Sequence, residues 1–339
     1  MKAMVLRSAA PVEQHPLRLE ELEIPQPRAT EVLVRVDKCG VCRTDLHVVE
    51  GDLPPQRSAI VPGHEVVGTI VEVGRDVRTL LKGQRVGIPW LHHTCGRCEY
   101  CTTGRENLCA DKVFTGYTVN GGYAEYTVGE EGYTFPLPAD VDATRFAPFL
   151  CAGIIGYRAL KAALPRPGGR IGFFGFGGSA HLTLQLASRL GYETVAFSRN
   201  PEHLKLAKEV GAAETVLTSG TVSAPATPRL DGAVVFAPTG EVVLQALSEL
   251  KKGGTLAIAA IHMSPIPEID YDRLLFGERK IVSVEANTRA DAREFLDLAH
   301  RLRLESTVER RPLREANEAL EDLKHGRLTG AAVLDGASV

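Results

Sequence analysis

No run of about 18 apolar residues occurs in this chain of 339 residues, so no segment is expected to span a membrane. Clusters of Lys and Arg are also missing and the formal charge is only -3, which argues against nucleic acid as a partner. The opening stretch MKAMVLRSAAPVEQ turns polar too early for a secretory signal, so a cytoplasmic location is expected. Internal repeats and low-complexity tracts are lacking too. The remaining composition, 44% hydrophobic and 24% charged, is that of an ordinary globular protein. The length exceeds one ordinary core and predicts two domains, or one domain interrupted by another.

Two textures divide the sequence. Up to about residue 135, short β-branched runs such as EVLVRVDKCG and HEVVGTIVEVG are broken by Gly and Pro, which predicts a β-rich region. After FPLPADVD, strands and helices alternate. RIGFFGFG, ETVAFS, DGAVVFAP, TLAIAAI and KIVSVEA read as strands. SAHLTLQLASRLG, PEHLKLAKEVGA, EVVLQALSELKKGG and YDRLLFGE read as helices. Such alternation predicts a parallel sheet covered by helices on both faces. Beyond about residue 287, two helices and a strand, AAVLDG, are too few for a domain of their own and are expected to rejoin the β-rich part.

Cysteine is where the sequence is rich: seven stand at 39, 42, 95, 98, 101, 109 and 151. In a reducing compartment, clustered cysteines serve metals or catalysis more often than disulfides. CGRCEYCTTGRENLC has the spacing C-x2-C-x2-C-x7-C. Four thiolates can close a tetrahedron around Zn²⁺ and leave no open position, so Cys95, Cys98, Cys101 and Cys109 read as a structural zinc site. An iron–sulfur cluster, which also takes four cysteines, is the rival. A catalytic zinc needs three protein ligands, and Cys/Cys/His is one such set. VPGHEVVGT supplies His64, although a single His beside a Glu is by itself an ordinary pair. Cys39 and Cys42 also form a C-x-x-C, which in isolation could be a dithiol redox motif.

GVCRTDLH, GHE, the four-cysteine loop and GFGGSA follow one another in an order and at intervals that resemble the zinc-dependent medium-chain alcohol dehydrogenases over essentially the whole chain. GIPWLHHTCGRCEYC and GYTVNGGYAEY are most similar to the bacterial propanol-preferring branch. The resemblance implies a GroES-like catalytic domain, residues 1–151 and 287–339, interrupted by a Rossmann doubly wound parallel-sheet domain, residues 152–286. It implies two Zn²⁺ per chain, with Cys42, His64 and Cys151 as ligands of the catalytic ion. Cys39 is then left as a small buried hydrophobe. Glu65 would be a neighbouring or alternative ligand, and Asp45 would hold the free ring nitrogen of His64. Thr44 would bond the substrate oxygen, His47 would receive its proton through the cofactor ribose, and Arg43 would meet the cofactor pyrophosphate. Trp90 and Ile155 fall at pocket positions, and the bulk of Trp90 suggests short or flat alcohols rather than polyols. The chain departs from the family at Ile155, where a Thr is frequent, and at Ala331, where many relatives carry an Arg.

The cofactor loop is legible from its own residues. Gly175, Gly177 and Gly178, followed by Ala180, lie between a strand and a helix, where backbone N–H groups can receive a pyrophosphate. At the end of the next strand an NAD enzyme needs a carboxylate for the ribose 2′-OH, and the sequence has Ser198 and Arg199 instead. A cation beside a hydroxyl suits a 2′-phosphate, so NADP(H) is favoured over NAD(H). The reading is reversible hydride transfer between a small primary alcohol and its aldehyde, in a homodimer or homotetramer. The alternatives are a cinnamyl-type NADPH aldehyde reductase, a non-catalytic zinc- and nucleotide-binding module, and a thiol redox protein.

Overall fold

The protein is described by a computed structural model covering residues 1–163, 167–219 and 229–336. The chain divides into two compact units: Met1–Cys151 with Ala286–His300 and Glu305–Val339, and Ala152–Glu285 with Arg301–Leu304. Residues 337–339, counted with the first domain in the sequence reading, lie outside the described residues. Among the described residues no single helix is long and apolar enough to cross a membrane.

The first unit begins with β1 (Lys2–Leu6), β2 (Leu17–Glu21), β3 (Glu31–Val41), α1 (Arg43–Glu50), β4 (Glu65–Val73), β5 (Arg85–Ile88), β6 (Leu91–His93), α2 (Glu99–Thr102), β7 (Val113–Phe114), β8 (Tyr126–Glu130), β9 (Phe135–Pro136) and α3 (Ala143–Phe146). The second contains α4 (Ala152–Ala163), β10 (Arg170–Phe174), α5 (Gly178–Arg189), β11 (Glu193–Ser198), α6 (Pro201–Glu209), β12 (Glu214–Leu217), β13 (Leu230–Val235), α7 (Gly240–Glu249), β14 (Leu250–Ile258) and β15 (Lys280–Ser283). The chain closes with α8 (Arg289–Arg301), β16 (Val308–Pro312), α9 (Ala316–Lys324) and β17 (Ala331–Asp335).

The main sheet of the first unit runs β16-β17-β3-β4-β5-β9, with β8 also paired to β3. β17 lies antiparallel to β3, with Ala332 opposite Val41, so the C-terminal strand completes the GroES-like sheet. β3 and β4 form an antiparallel pair in which Gly40 faces Glu65 and Cys39 faces Val66. This register matters for chemistry. β3 ends immediately before Cys42 and β4 starts immediately after His64, so the pairing brings both residues to one end of the sheet. Cys151 follows Leu150, whose side chain fills the space beside Gly87 of β5, where a β-carbon would collide with it. β5 in turn pairs with β4, Val67 opposite Gly87.

The second unit is a six-stranded, wholly parallel sheet of order β12-β11-β10-β13-β14-β15, the doubly wound Rossmann arrangement. Its core includes Phe174 of β10 stacked on Phe197 of β11, ring centroids 4.1 Å apart. Helices α4 and α5 meet closely because Gly156 lies against the Thr183 side chain, leaving no room for a β-carbon. Two local expectations need correction. The helix expected to run through Lys251–Gly254 stops at Glu249, because buried Leu250 pairs with Leu230 and opens β14. Gly253, at φ 76°, and Gly254 then carry the strand past an irregular register. YDRLLFGE forms only a π-helical turn, Tyr271–Leu275, whose start is capped by the Asp270 carboxylate accepting from Arg273 N.

Away from the clustered cysteines and His64, this architecture also buries histidines. His92 in β6 and His181 in α5 each have a buried ring nitrogen without a hydrogen-bond partner. Burial holds both well below 6.5, at about 4. The unfolded chain takes up these protons near pH 6.5, whereas the folded protein resists until about pH 4. Between those values the unfolded state binds more protons, so stability must fall as pH falls. The loss approaches about 3 kcal/mol per ring once both have charged. Thermal unfolding between pH 7 and pH 4 should show this decline, and His181→Leu should flatten it; an equal slope in the variant would remove His181 from the explanation.

Candidate active site and metal centres

Cys42 is the residue preceding α1, and Asp45 reaches back to accept its backbone N–H at 2.9 Å through Oδ2. The same carboxylate, completely buried, accepts from Tyr123 Oη at 3.2 Å. Its other oxygen, Oδ1, accepts from Gly63 N at 3.1 Å and His64 Nδ1 at 2.8 Å. An N-terminal turn of a helix is where a carboxylate sits best, since it meets unpaired N–H groups and the positive end of the helix dipole. Gly63 has φ 95°, and both the Tyr123 ring and Cys39 Sγ press on the space a side chain would take. Only glycine lets the chain turn there into His64.

Because Nδ1 is committed to Asp45, Nε2 of His64 is the ring atom left to bind something else. It is buried and has no hydrogen-bond partner. Cys42, His64 and Cys151 present sulfur, nitrogen and sulfur within 4.8 Å of one another. The two sulfurs lie 3.8 Å apart, far beyond a disulfide bond. A tetrahedral zinc with Zn–S arms of about 2.3 Å requires sulfur–sulfur edges of about 3.8 Å.

Electrostatics agree with this spacing. The Cys151 thiol and His64 hold the Cys42 thiol well below its ordinary range, against the effect of burial. Cys151 itself is pushed up by Cys42 and by burial. Burial disfavours charge on His64, but Asp45 and the negative charge of Cys42 outweigh it and hold the ring well above its ordinary range. The pocket therefore already stabilises positive charge at Nε2, and a cation there would take the place of protons. The residues fit a zinc ion with one open position.

The second cluster has no open position. Cys95, Cys98, Cys101 and Cys109 bring four sulfurs within 4.8 Å of one another. Cys101 Sγ lies 3.5 Å from Cys98 Sγ and 3.9 Å from Cys95 Sγ. Gly96 and Gly104, at φ 69° and 73°, make the tight turns. The backbone N–H groups of Arg97 and Cys98 draw Cys95 down to about 6, whereas burial pushes Cys109 up to about 11. A bound cation would allow all four to be thiolates together.

Around the Cys/His/Cys set, Thr44 is buried with Oγ1 3.7 Å from Cys42 Sγ. Glu65 opens β4 and its carboxylate rests over Gly40. Trp90 meets the His64 ring edge-on at 4.8 Å and stacks on Phe114 and Tyr117. His47, one turn along α1 from Thr44, places Nδ1 2.7 Å from Asp52 Oδ2. Arg43 is exposed and donates to the Leu323 carbonyl oxygen. Cys39 is buried, its thiol donating to Gly40 O at 3.6 Å.

In the second unit, Gly175 turns at φ 84° between β10 and α5, and a side chain there would strike Ala237. Gly177 caps α5, and a β-carbon on it would meet nothing, so the helix start presents bare backbone. Gly178 is the first residue of α5 and Ala180 is fully buried. Ser198 ends β11, its Oγ accepting from Asn200 N at 3.1 Å, and Arg199 beside it is exposed. Ile155 sits in the first turns of α4.

Tyr123, Asp52 and the partners of Trp90 escaped the sequence reading. Tyr123 lies 78 residues from Asp45, so no local pattern links them. Asp52 carried a usable signal, since Gly51 announces the end of α1 just before it.

A sheet-bound thiol and imidazole set in the first unit and a glycine-turn nucleotide fold in the second are the parts of a metal-using, nucleotide-dependent oxidoreductase. Residues 28–139 match the alcohol dehydrogenase GroES-like domain family and residues 178–301 the zinc-binding dehydrogenase family. The chain is 48% identical to a probable alcohol dehydrogenase, AdhA, of Mycobacterium tuberculosis, over 98% of this chain and 97% of that protein. It is 39% identical to an alcohol dehydrogenase of Geobacillus stearothermophilus, over 94% and 95% of the two chains. The crystal structure of the alcohol dehydrogenase from Aeropyrum pernix superimposes with a TM-score of 0.86 at 28% identity, covering 99% of this chain and 100% of that one. The protein belongs to the zinc-dependent medium-chain alcohol dehydrogenase family.

The Asp45 network gives a direct test of the site. Asp45→Asn would set an amide NH₂ against two of the four donors, whichever oxygen it replaces, and remove the charge that favours a cation at His64. Zinc affinity of the site should fall by about 10- to 100-fold, read by chelator competition. Unchanged retention would mean that the carboxylate does not organise the ligands.

Proposed function

We propose that the protein interconverts a small primary alcohol and its aldehyde with NADP(H), through one catalytic and one structural zinc per chain. The observation that carries this reading is the convergence of Cys42 and Cys151 on the buried His64, which Asp45 locks. Zinc held by these three residues would supply Lewis acidity toward the alcohol oxygen, and the nicotinamide would supply the hydride acceptor. The chain's own residues then manage the proton. Thr44 Oγ1, buried beside Cys42, accepts the hydrogen of the substrate hydroxyl and relays it toward His47 on the same face of α1. His47, near the surface with its side chain 10% exposed, hands the proton to solvent. Trp90, held flat by Phe114 and Tyr117, forms an aromatic wall beside His64 that suits short or planar alcohols. Cys95, Cys98, Cys101 and Cys109 would hold the structural ion, which would fix their loop.

Cofactor preference rests on the end of β11. Arg199 offers a fork of donors and Ser198 offers no charge to repel a phosphate, so the 2′-phosphate of NADP is favoured. The protein is expected in the cytoplasm as a homodimer or homotetramer. Edge strand β15, preceded by exposed Tyr271 and Phe276, supports assembly through this unit.

Metal analysis should find two zinc ions per chain. Cys98→Ser should lose one and lower the melting temperature, and His64→Ala should lose the other and abolish turnover with the fold intact. Thr44→Ala should reduce turnover by about 10²- to 10⁴-fold. An active His64→Ala variant, or one zinc per chain, would overturn the assignment.

Ser198→Asp combined with Arg199→Ala should move preference toward NAD by at least about tenfold, or about 1.4 kcal/mol. The change should appear mainly in the cofactor KM. If the unmodified enzyme already prefers NAD⁺ in steady-state assays, Arg199 is only a solvated surface residue.

A further inference from the structure

We infer that Asp52 is a positioning residue for His47, fixing which ring nitrogen takes the substrate proton. The inference rests on the relay role given to His47 above. α1 ends at Gly51, whose φ of 85° is left-handed, and the N–H groups of Gly51 and Leu53 both donate to the His47 carbonyl, at 3.1 and 3.2 Å. This double closure folds the chain back over the last helical turn. It delivers the Asp52 carboxylate to His47 Nδ1 at 2.7 Å.

The returning loop is itself clamped. Tyr117 Oη donates to the Pro54 carbonyl at 2.7 Å, and Gln56 Nε2 donates to the same oxygen at 2.9 Å and to Tyr117 Oη at 3.1 Å. The Tyr117 ring stacks on Trp90, which meets His64. One aromatic pile therefore contacts the zinc-binding imidazole and also secures the segment that carries Asp52. At the same end of α1, Lys324 of α9 binds Glu50 and Glu13.

A carboxylate accepting from Nδ1–H makes Nε2 the acceptor nitrogen, and holds the ring plane while the proton arrives. The proton forms an Nε2–H bond, and later leaves to water as the Nε2 lone pair is restored. The Asp52 side chain is 44% exposed, so it can be replaced with little effect on the core.

The zinc-loaded enzyme tests this. First-turnover hydride transfer is the readout, because product release cannot mask it. Asp52→Ala and Asp52→Asn should each slow it by about five- to tenfold with alcohol KM within about twofold, and Asp52→Glu should recover most of the rate. In a His47→Gln background, adding Asp52→Ala should change the rate by less than about twofold, since the two act as one unit. Imidazole ¹⁵N spectra at alkaline pH should show His47 as the Nδ1–H tautomer, and a shift toward Nε2–H in Asp52→Ala. An impaired His47→Gln with a fully active Asp52→Ala would overturn the positioning role and leave the relay standing. Additive losses, or an unchanged tautomer in Asp52→Ala, would also overturn it. A fully active His47→Gln would overturn the relay reading itself.

Discussion

A single buried carboxylate organises the chemistry of the first unit. Removing a charge from water costs several kcal/mol unless its hydrogen-bonding capacity is filled. Asp45 meets that condition with four donors drawn from separated parts of the sequence: the Cys42 and Gly63 amides, the His64 ring and the Tyr123 hydroxyl. Each donor is thereby fixed in turn. The start of α1, the Gly63 turn and the aromatic side chain at 123 are tied to one point. The geometry of Cys42 and His64 is a consequence of satisfying Asp45, because neither could move without exposing a buried charge to an apolar surrounding.

The two thiol clusters show how environment separates roles that composition alone would merge. At Cys42 the thiol lies beside an imidazole, and three ligand atoms converge, one fewer than a tetrahedron takes. At Cys95–Cys109 four sulfurs converge and exhaust a tetrahedron. Charge reinforces the distinction. The first pocket combines the charges of Asp45 and Cys42 around His64, so a divalent cation would relieve repulsion between anions there. In the second, local amides favour one thiolate while burial opposes another, so an ion would make the loop's four sulfurs mutually tolerable.

Much of this was legible in the sequence because it was written in local patterns. The alternation of strands and helices after residue 151 leads directly to the parallel sheet, and the order C-x-x-C, GHE, four-cysteine loop, glycine turn identifies the family. The failures have a common physical origin. Lys251–Gly254 looks helical by continuity with α7, yet burial of Leu250 against Leu230 decides for a strand, and that contact is tertiary. Tyr271–Leu275 has helical residues but only enough chain for one turn. Tyr123 has no signal at all, since its partner is brought to it by the fold. Asp52 lies at the margin: its proximity to His47 follows from a glycine C-cap that the sequence displays, but the pairing requires the loop to be held by Tyr117, which it does not.

The nucleotide unit follows a different logic, in which what is left out matters as much as what is present. Gly175 is required by a backbone that turns at positive φ against Ala237, a steric demand internal to the fold. Gly177 faces no such demand, since a β-carbon on it would touch nothing. Its freedom from internal contact leaves the amides at the start of α5 uncovered, which a pyrophosphate requires and folding alone does not. The same reasoning applies at the end of β11. Ser198 is turned inward to its own backbone, receiving Asn200 N, which leaves Arg199 as the exposed group at that strand end. On the proposed reading, selectivity at this position would turn on the sign of one solvent-facing charge, a choice on which the packing of the sheet makes no demand.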